Sequence, residues 1–212
     1  MTGKGDHRAI AIPAAVFVVT AAVAARDRLV PGEAGVVQAL NGNAVLGVFP
    51  IDPLLVGVMV FGTLVGVVVV AAVMALLLKP WQPAVAVLGA GAAGWFLSRV
   101  CKGVVDRGRP VEFLDPRTLD ISSGYASITG AGFPSGHAAV AFAVATVVAP
   151  WVPHRYRSAP WAVAAAVAFA RVHVAAHFPL DVLGGAALGI VIGGIVNLVA
   201  PGPDEFDHAL TR

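Results

Sequence analysis

His177 and Asp181 stand four residues apart in the stretch RVHVAAHFPLD, Arg171 to Asp181. Pro179 suits the first position of a helix, where its missing N–H costs nothing. The histidine and the carboxylate then flank one helical turn. A carboxylate bonded to one ring nitrogen fixes the tautomer and leaves the other nitrogen free to attack an electrophile. The pair therefore predicts a nucleophile, His177, oriented by Asp181. The plainer alternative is a buried His–Asp pair that steadies a helix junction.

Two further stretches supply what such a nucleophile would need. In GFPSGHAAVAF, Pro134-Ser135-Gly136 reads as a turn into a helix, and His137 stands at the threshold of an apolar run. Free backbone N–H groups and the dipole at a helix start favour an anion. Ser135 caps the helix or donates to a ligand, and Gly136 lets the backbone approach one closely. In KGVVDRGRP, Lys102 and Arg109 lie seven apart, close to one face across two helical turns. Arginine grips phosphate oxygens with parallel bonds, and lysine acts as a point charge; a snorkelling interfacial belt is the bland reading of this cluster. Together the parts read as a phosphoryl-transfer site without a metal or other cofactor. Lys102, Arg109 and Arg171 stabilise phosphate charge, and Ser135 and Gly136 add neutral donors. His137 protonates the leaving oxygen and then activates water to free the phosphohistidine. His173 reads as structural, or as a support behind the groups that meet the ligand.

These clusters sit in an unusually apolar chain. It has 212 residues, 58% hydrophobic and 12% charged, against about 25% charged in soluble domains. Six apolar segments, approximately residues 9–25, 54–78, 84–101, 137–152, 160–176 and 179–200, approach the roughly 17–25 residues that cross a bilayer. The expectation is an all-α integral membrane protein, one domain over residues 1–212, built as a six-helix transmembrane bundle. The first segment reads as an uncleaved span rather than a signal peptide, because Arg26-Asp27-Arg28 makes an interfacial stop. Residues 33–41 read as a short interfacial helix or an ordinary polar loop. Gly62 with Gly66, and Gly185, Gly189 and Gly193, have the four-residue spacing that lets helices approach in lipid, and Gly89, Gly91 and Gly94 add a further small surface.

Single crossings put the segments after spans one, three and five on one side, which gathers the three polar clusters there. The count of cations slightly favours the opposite side as cytoplasmic, so the site is expected to face outward from a cell membrane. The formal charge of +2 and the lack of a basic tail exclude a nucleic-acid partner. Cys101 is the sole cysteine, which excludes an internal disulfide and a cysteine metal site.

The three stretches resemble the signature of the type 2 phosphatidic acid phosphatase family of membrane lipid phosphatases. Its first motif, Lys, six residues, Arg-Pro, is matched by Lys102 through Arg109-Pro110. Pro134 to His137 match its Pro-Ser-Gly-His motif. Its third motif, Ser-Arg, five residues, His, three residues, Asp, is matched by Arg171, His177 and Asp181, with Ala170 in place of the serine. The resemblance covers a catalytic core from 102 to 181. It implies a six-helix core, metal-independent hydrolysis and a phosphohistidine intermediate. Haloperoxidases that use vanadate share these motifs, so vanadate is expected to occupy the site as a phosphate mimic.

The expected substrate is a lipid phosphate within the membrane, foremost a polyprenyl diphosphate hydrolysed to its monophosphate. Phosphatidic acid or phosphatidylglycerophosphate is the close alternative. A non-catalytic lipid-binding or transport protein is the alternative of another class, although binding alone needs no nucleophile. The 111–133 loop is expected to set headgroup choice.

Overall fold

The computed structural model describes residues 8–41, 51–78, 81–119 and 130–200. Helix α1 spans Arg8–Arg26 and α2 spans Glu33–Leu40, followed by α3 (Ile51–Met59), α4 (Leu64–Leu77) and α5 (Gln82–Val104). A short α6 (Pro110–Phe113) precedes α7 (Gly136–Val148), α8 (Ala159–His173) and α9 (Pro179–Val199). Among the described residues there is no strand.

Helix α7 is the central element and packs against α9, α5 and α8, while α1 lies on α9 and α4 on α5. The interior is made of small residues. Ala138, Ala139, Ala143, Val140 and Val147 of α7 are buried, and bulky side chains such as Ile12, Leu76, Leu77 and Val199 point outward and are exposed. Large apolar side chains on the outside suit lipid rather than water. By length and composition α1, α5 and α9 suffice to cross a membrane, whereas α4 and the helix from Gly136 to Trp151 are shorter apolar helices.

The glycine ridge explains how α9 rides on α7. A Cβ at Gly185 would lie 2.4 Å from the Ser135 carbonyl oxygen, and one at Gly189 would lie 2.3 Å from that of Ala139. At Gly193 it would lie 2.5 Å from the Thr146 side chain. Only glycine permits this approach, and the consequence is positional. The first turns of α7 and α9 meet, and the Ser135 N–H donates to the Asp181 carbonyl at 2.8 Å.

The segment expected as one helix over 54–78 is broken. Helix α3 passes through a 3-10 turn (Val60–Gly62) to Thr63, whose extended backbone restarts the chain as α4. The Thr63 hydroxyl caps α4 by accepting from Gly66 N–H at 3.2 Å. Gly62 and Gly66 are therefore not one helix-packing stripe. A Cβ at Gly66 would lie 2.2 Å from the Val60 carbonyl within the break, and Gly62 abuts His137 and Val167. Helix α4 rises only about 21 Å at roughly 1.5 Å per residue. Of the other small surface, Gly91 meets Val67 and Gly94 meets Ala139, but among the described residues nothing lies within 4 Å of a Cβ at Gly89.

The fourth segment leaves α-helical geometry at Ala149 and continues as a 3-10 turn to Trp151. The fifth ends at His173, followed by Ala175 in the left-handed region (φ 51°). That conformation closes helices, usually on glycine. Here it turns the chain so that the N–H groups of Ala176 and His177 both donate back to the Arg171 carbonyl, at 3.1 and 3.2 Å.

Candidate active site

Where α5 ends, its last turn carries Lys102 into a cavity of about 500 Å³. Around it stand Arg109, Gly130 and Ala131 from the following loop, Gly136 and His137 from the start of α7, and Arg171 and His177 from α8 and the turn beyond it. Thr63, Leu64 and Val65 at the start of α4 complete the wall. Three stretches separated in sequence thus converge on one hollow.

Lys102 and Arg109 do not share a continuous helix, because α5 stops at Val104 and Arg109 is the N-cap of α6. They meet through the loop between them and α7. Lys102 Nζ donates to the carbonyls of Ala131 (2.6 Å) and Gly132 (3.1 Å). Arg109 donates from Nε to the Gly130 carbonyl at 2.9 Å and from Nη1 to the Ala176 carbonyl, also at 2.9 Å. It clasps the loop before the Pro-Ser-Gly-His turn to the residue before His177. An ammonium has three N–H donors and a guanidinium five, so both cations keep donors for an anion. Arg171 is buried; its Nη1 reaches Met59 Sδ at 3.3 Å, and its Nε has no partner among the described residues.

His177 is buried, with Nδ1 at 3.6 Å from Asp181 Oδ2. This is longer than a hydrogen bond but places the carboxylate behind the ring. Asp181 is fully buried and absent from the cavity wall, as befits a partner of the ring and not of the ligand. Its Oδ2 accepts from Phe178 N–H at 2.9 Å and its Oδ1 from Arg107 Nη1 at 2.6 Å. Burial, and then the charges of Lys102, Arg171 and Arg109, with a smaller contribution from His137, hold the His177 imidazole well below its usual pKa of 6.5. The ring is thereby kept neutral at neutral pH.

Ser135 is fully buried and lies behind the cavity surface; its hydroxyl has no partner among the described residues, and its backbone holds Asp181. It occupies the N-cap of α7 without a side-chain cap bond. His173 has a structural setting, its Nδ1 bonded to the Leu40 carbonyl at 2.6 Å. Ala170 is packed with Leu55, Met59, Val174 and Ala176, so a methyl fits its apolar surroundings.

Sequence reasoning missed Glu33. This buried side chain of α2 pairs with Arg107 and accepts from Leu180 N–H at 2.8 Å. Its signal was an acidic residue starting an otherwise apolar helix, and nothing local named its partner. Arg99 and Trp95, which also line the cavity, were missed as well. Of the loop expected to set headgroup choice, residues 120–129 lie outside the described residues.

The PAP2 superfamily model matches residues 83–202, more than half of the chain, a span that holds Lys102, Arg109, Ser135, Gly136, His137, Arg171, His177 and Asp181. The chain belongs to the PAP2 superfamily. A curated relative, a lipid A 1-phosphatase of Porphyromonas gingivalis, is 35% identical over 91 residues, 38% of this chain and 20% of that protein. The chain thus spans about a fifth of that relative's length. The crystal structure of Aquifex aeolicus LpxE superposes with a TM-score of 0.63 at 22% identity, covering 76% of this chain and 92% of that one. A transmembrane PAP2-type phosphatidylglycerolphosphate phosphatase from Bacillus subtilis gives the same TM-score at 24% identity, covering 94% and 98%. At these identities the two structures establish the shared PAP2 fold.

Proposed function

We propose that this PAP2 protein is a lipid phosphate phosphatase that works through a phosphohistidine. The observation that carries this reading is the placement of His177, with a carboxylate behind its Nδ1 and the cations Lys102, Arg109 and Arg171 around the same cavity. In this scheme His177 Nε2 attacks phosphorus, and the bond from phosphorus to the lipid oxygen breaks with its electron pair. His137 supplies a proton to that oxygen where one is needed. Water, activated by His137, then releases inorganic phosphate and restores the imidazole. The chain's own cations carry the charge throughout.

The favoured substrate is a polyprenyl diphosphate, converted to the monophosphate at the outer face of a cell membrane. A monophosphate such as phosphatidic acid or phosphatidylglycerophosphate is the second reading, favoured by the shared fold with the B. subtilis enzyme. A purely lipid-binding role would leave the His177–Asp181 pair without a task.

Phosphate release from a panel of purified lipids, with EDTA present, tests the reaction. Wild-type protein should turn over in EDTA, and His177→Ala should bind lipid yet release no phosphate. Near-normal release by that variant would refute the nucleophile. The orientation is tested with a cysteine at exposed Arg117 in a Cys101→Ala background. It should react with an impermeant thiol reagent in intact cells, and labelling only after permeabilisation would reverse the topology.

A further inference from the structure

Arg99 is a cation of the cavity that the nucleophilic mechanism leaves without a role. It belongs to the face of α5 that carries Trp95, Ser98 and Lys102, all of which line the hollow. Positions at this spacing are neighbours on a helix. Arg99 lies one turn before Lys102, about 4.5 Å nearer the middle of the helix. Its guanidinium is held 4.3 Å over the Trp95 ring, a cation–π contact that fixes the plane of the fork. No carboxylate among the described residues pairs with it; the ion pairs there involve Arg107 and His177.

The position along α5 matters because a bound lipid has a direction. The phosphate under attack sits at His177, with Lys102, Arg109 and Arg171, and the hydrocarbon leaves toward the middle of the membrane. In a lipid diphosphate the second phosphate lies between these two. It is joined to the first by one oxygen and to the tail by another. A cation one turn deeper than Lys102, on the same wall, meets that second phosphate. In a lipid monophosphate the corresponding place is taken by an uncharged carbon–oxygen linkage.

We infer that Arg99, held flat by Trp95, forms a subsite for the second phosphate of a lipid diphosphate. This deepens the phosphatase reading and rests on it. When His177 attacks the terminal phosphorus, the bond to the bridging oxygen breaks and its electron pair stays with that oxygen. The departing lipid monophosphate gains negative charge there, and Arg99 neutralises it. Arg99 thus discriminates between substrates through the leaving group, where bidentate binding by an arginine is most effective.

The test compares phosphate release by purified wild type, Arg99→Gln and Arg99→Lys on a prenyl diphosphate, the matching prenyl monophosphate and phosphatidic acid. A hydrogen bond to a charged group is worth about 10- to 100-fold. Arg99→Gln should lower kcat/KM for the diphosphate by that factor more than for either monophosphate. Arg99→Lys should recover part of the loss, since the charge remains while the fork is gone. Trp95→Leu, which leaves the charge but frees the side chain, should raise KM for the diphosphate selectively. Equal losses on all three lipids, or none, would overturn the assignment to Arg99 while the phosphatase reading stands. So would an active wild type that spares the diphosphate. Wild-type protein inert on every lipid would instead overturn the phosphatase reading itself.

Discussion

Arg107 is shared between two buried carboxylates. Nη1 donates to Asp181 Oδ1 at 2.6 Å, Nη2 pairs with Glu33 Oε2, and the guanidinium stands 5.1 Å from the Phe178 ring centre. Its side chain has no solvent exposure. Glu33 in turn accepts from Leu180 N–H, so α2 and Arg107 together hold the first turn of α9, from which Asp181 faces His177. Removing one member of such a group leaves uncompensated buried charge, at about 3–5 kcal/mol. Arg107→Met should therefore lower the thermal stability of the detergent-solubilised protein strongly. Glu33→Gln/Arg107→Met should be more stable than the sum of the two single effects predicts, because the carboxylates no longer repel across an empty place. Additive single and double variants would show that the three groups are not one unit.

The pH dependence follows from the depressed pKa of His177. Activity in kcat/KM should persist below pH 6.5, the ring's ordinary value, and fall only as pH drops through the lowered pKa and the nucleophile is protonated. The stability effect has the same sign. The unfolded chain binds the proton first, so His177's contribution is complete above pH 6.5 and is lost as pH falls toward its folded-state value. Bound vanadate would oppose the surrounding cations and raise the pKa of the ring. A pH–rate profile and imidazole NMR with and without vanadate check both statements; an acidic limb at or above 6.5 would contradict them.

His137→Ala should impair monophosphate hydrolysis more than diphosphate hydrolysis. A departing phosphate monoester has a second pKa near about 6 and leaves without a proton. An alkoxide does not, and general acid catalysis contributes about 10²–10⁴-fold. Pre-steady-state bursts of phosphorylation read this step apart from hydrolysis of the intermediate. Equal losses in burst rate on both substrate types would count against His137 as the acid.

Gly185→Ala should damage the site through the backbone. The new methyl would meet the Ser135 carbonyl oxygen at 2.4 Å and push the first turns of α7 and α9 apart. Overpacking of this kind costs about 1–3 kcal/mol, and it also stretches the bond from Ser135 N–H to the Asp181 carbonyl. Loss of both Tm and turnover is expected. Gly89→Ala, with nothing among the described residues within 4 Å of the new methyl, serves as the control and should leave both measurements close to wild type.

Most of the cavity was legible in the sequence because its chemistry is written in residue types at short, fixed spacings. Lys102, Arg109, His137, Arg171, His177 and Asp181 are unusual polar groups in an apolar chain, and Gly136 marks the start of a helix beside one of them. The glycine period of α9 was legible for a similar reason, since close helix approach in lipid demands small residues at one repeat. The break at Thr63 was not, because a run of Val, Leu and Gly continues through it and only the side-chain cap at Gly66 N–H ends one helix and begins the next. Nor did sequence spacing show that Ser135 lies behind the wall, that Arg109 clasps the loop to Ala176, or that Arg99 faces the hollow. The pairing of Glu33 with Arg107 joins residues 74 apart in the chain, and no local pattern encodes it. Sequence by itself determined which groups are the candidates for the chemistry. Tertiary structure alone decided which buried charges face one another, because that depends on how α2, the α5–α6 loop and α9 pack, and packing over such distances leaves no periodic trace in the chain.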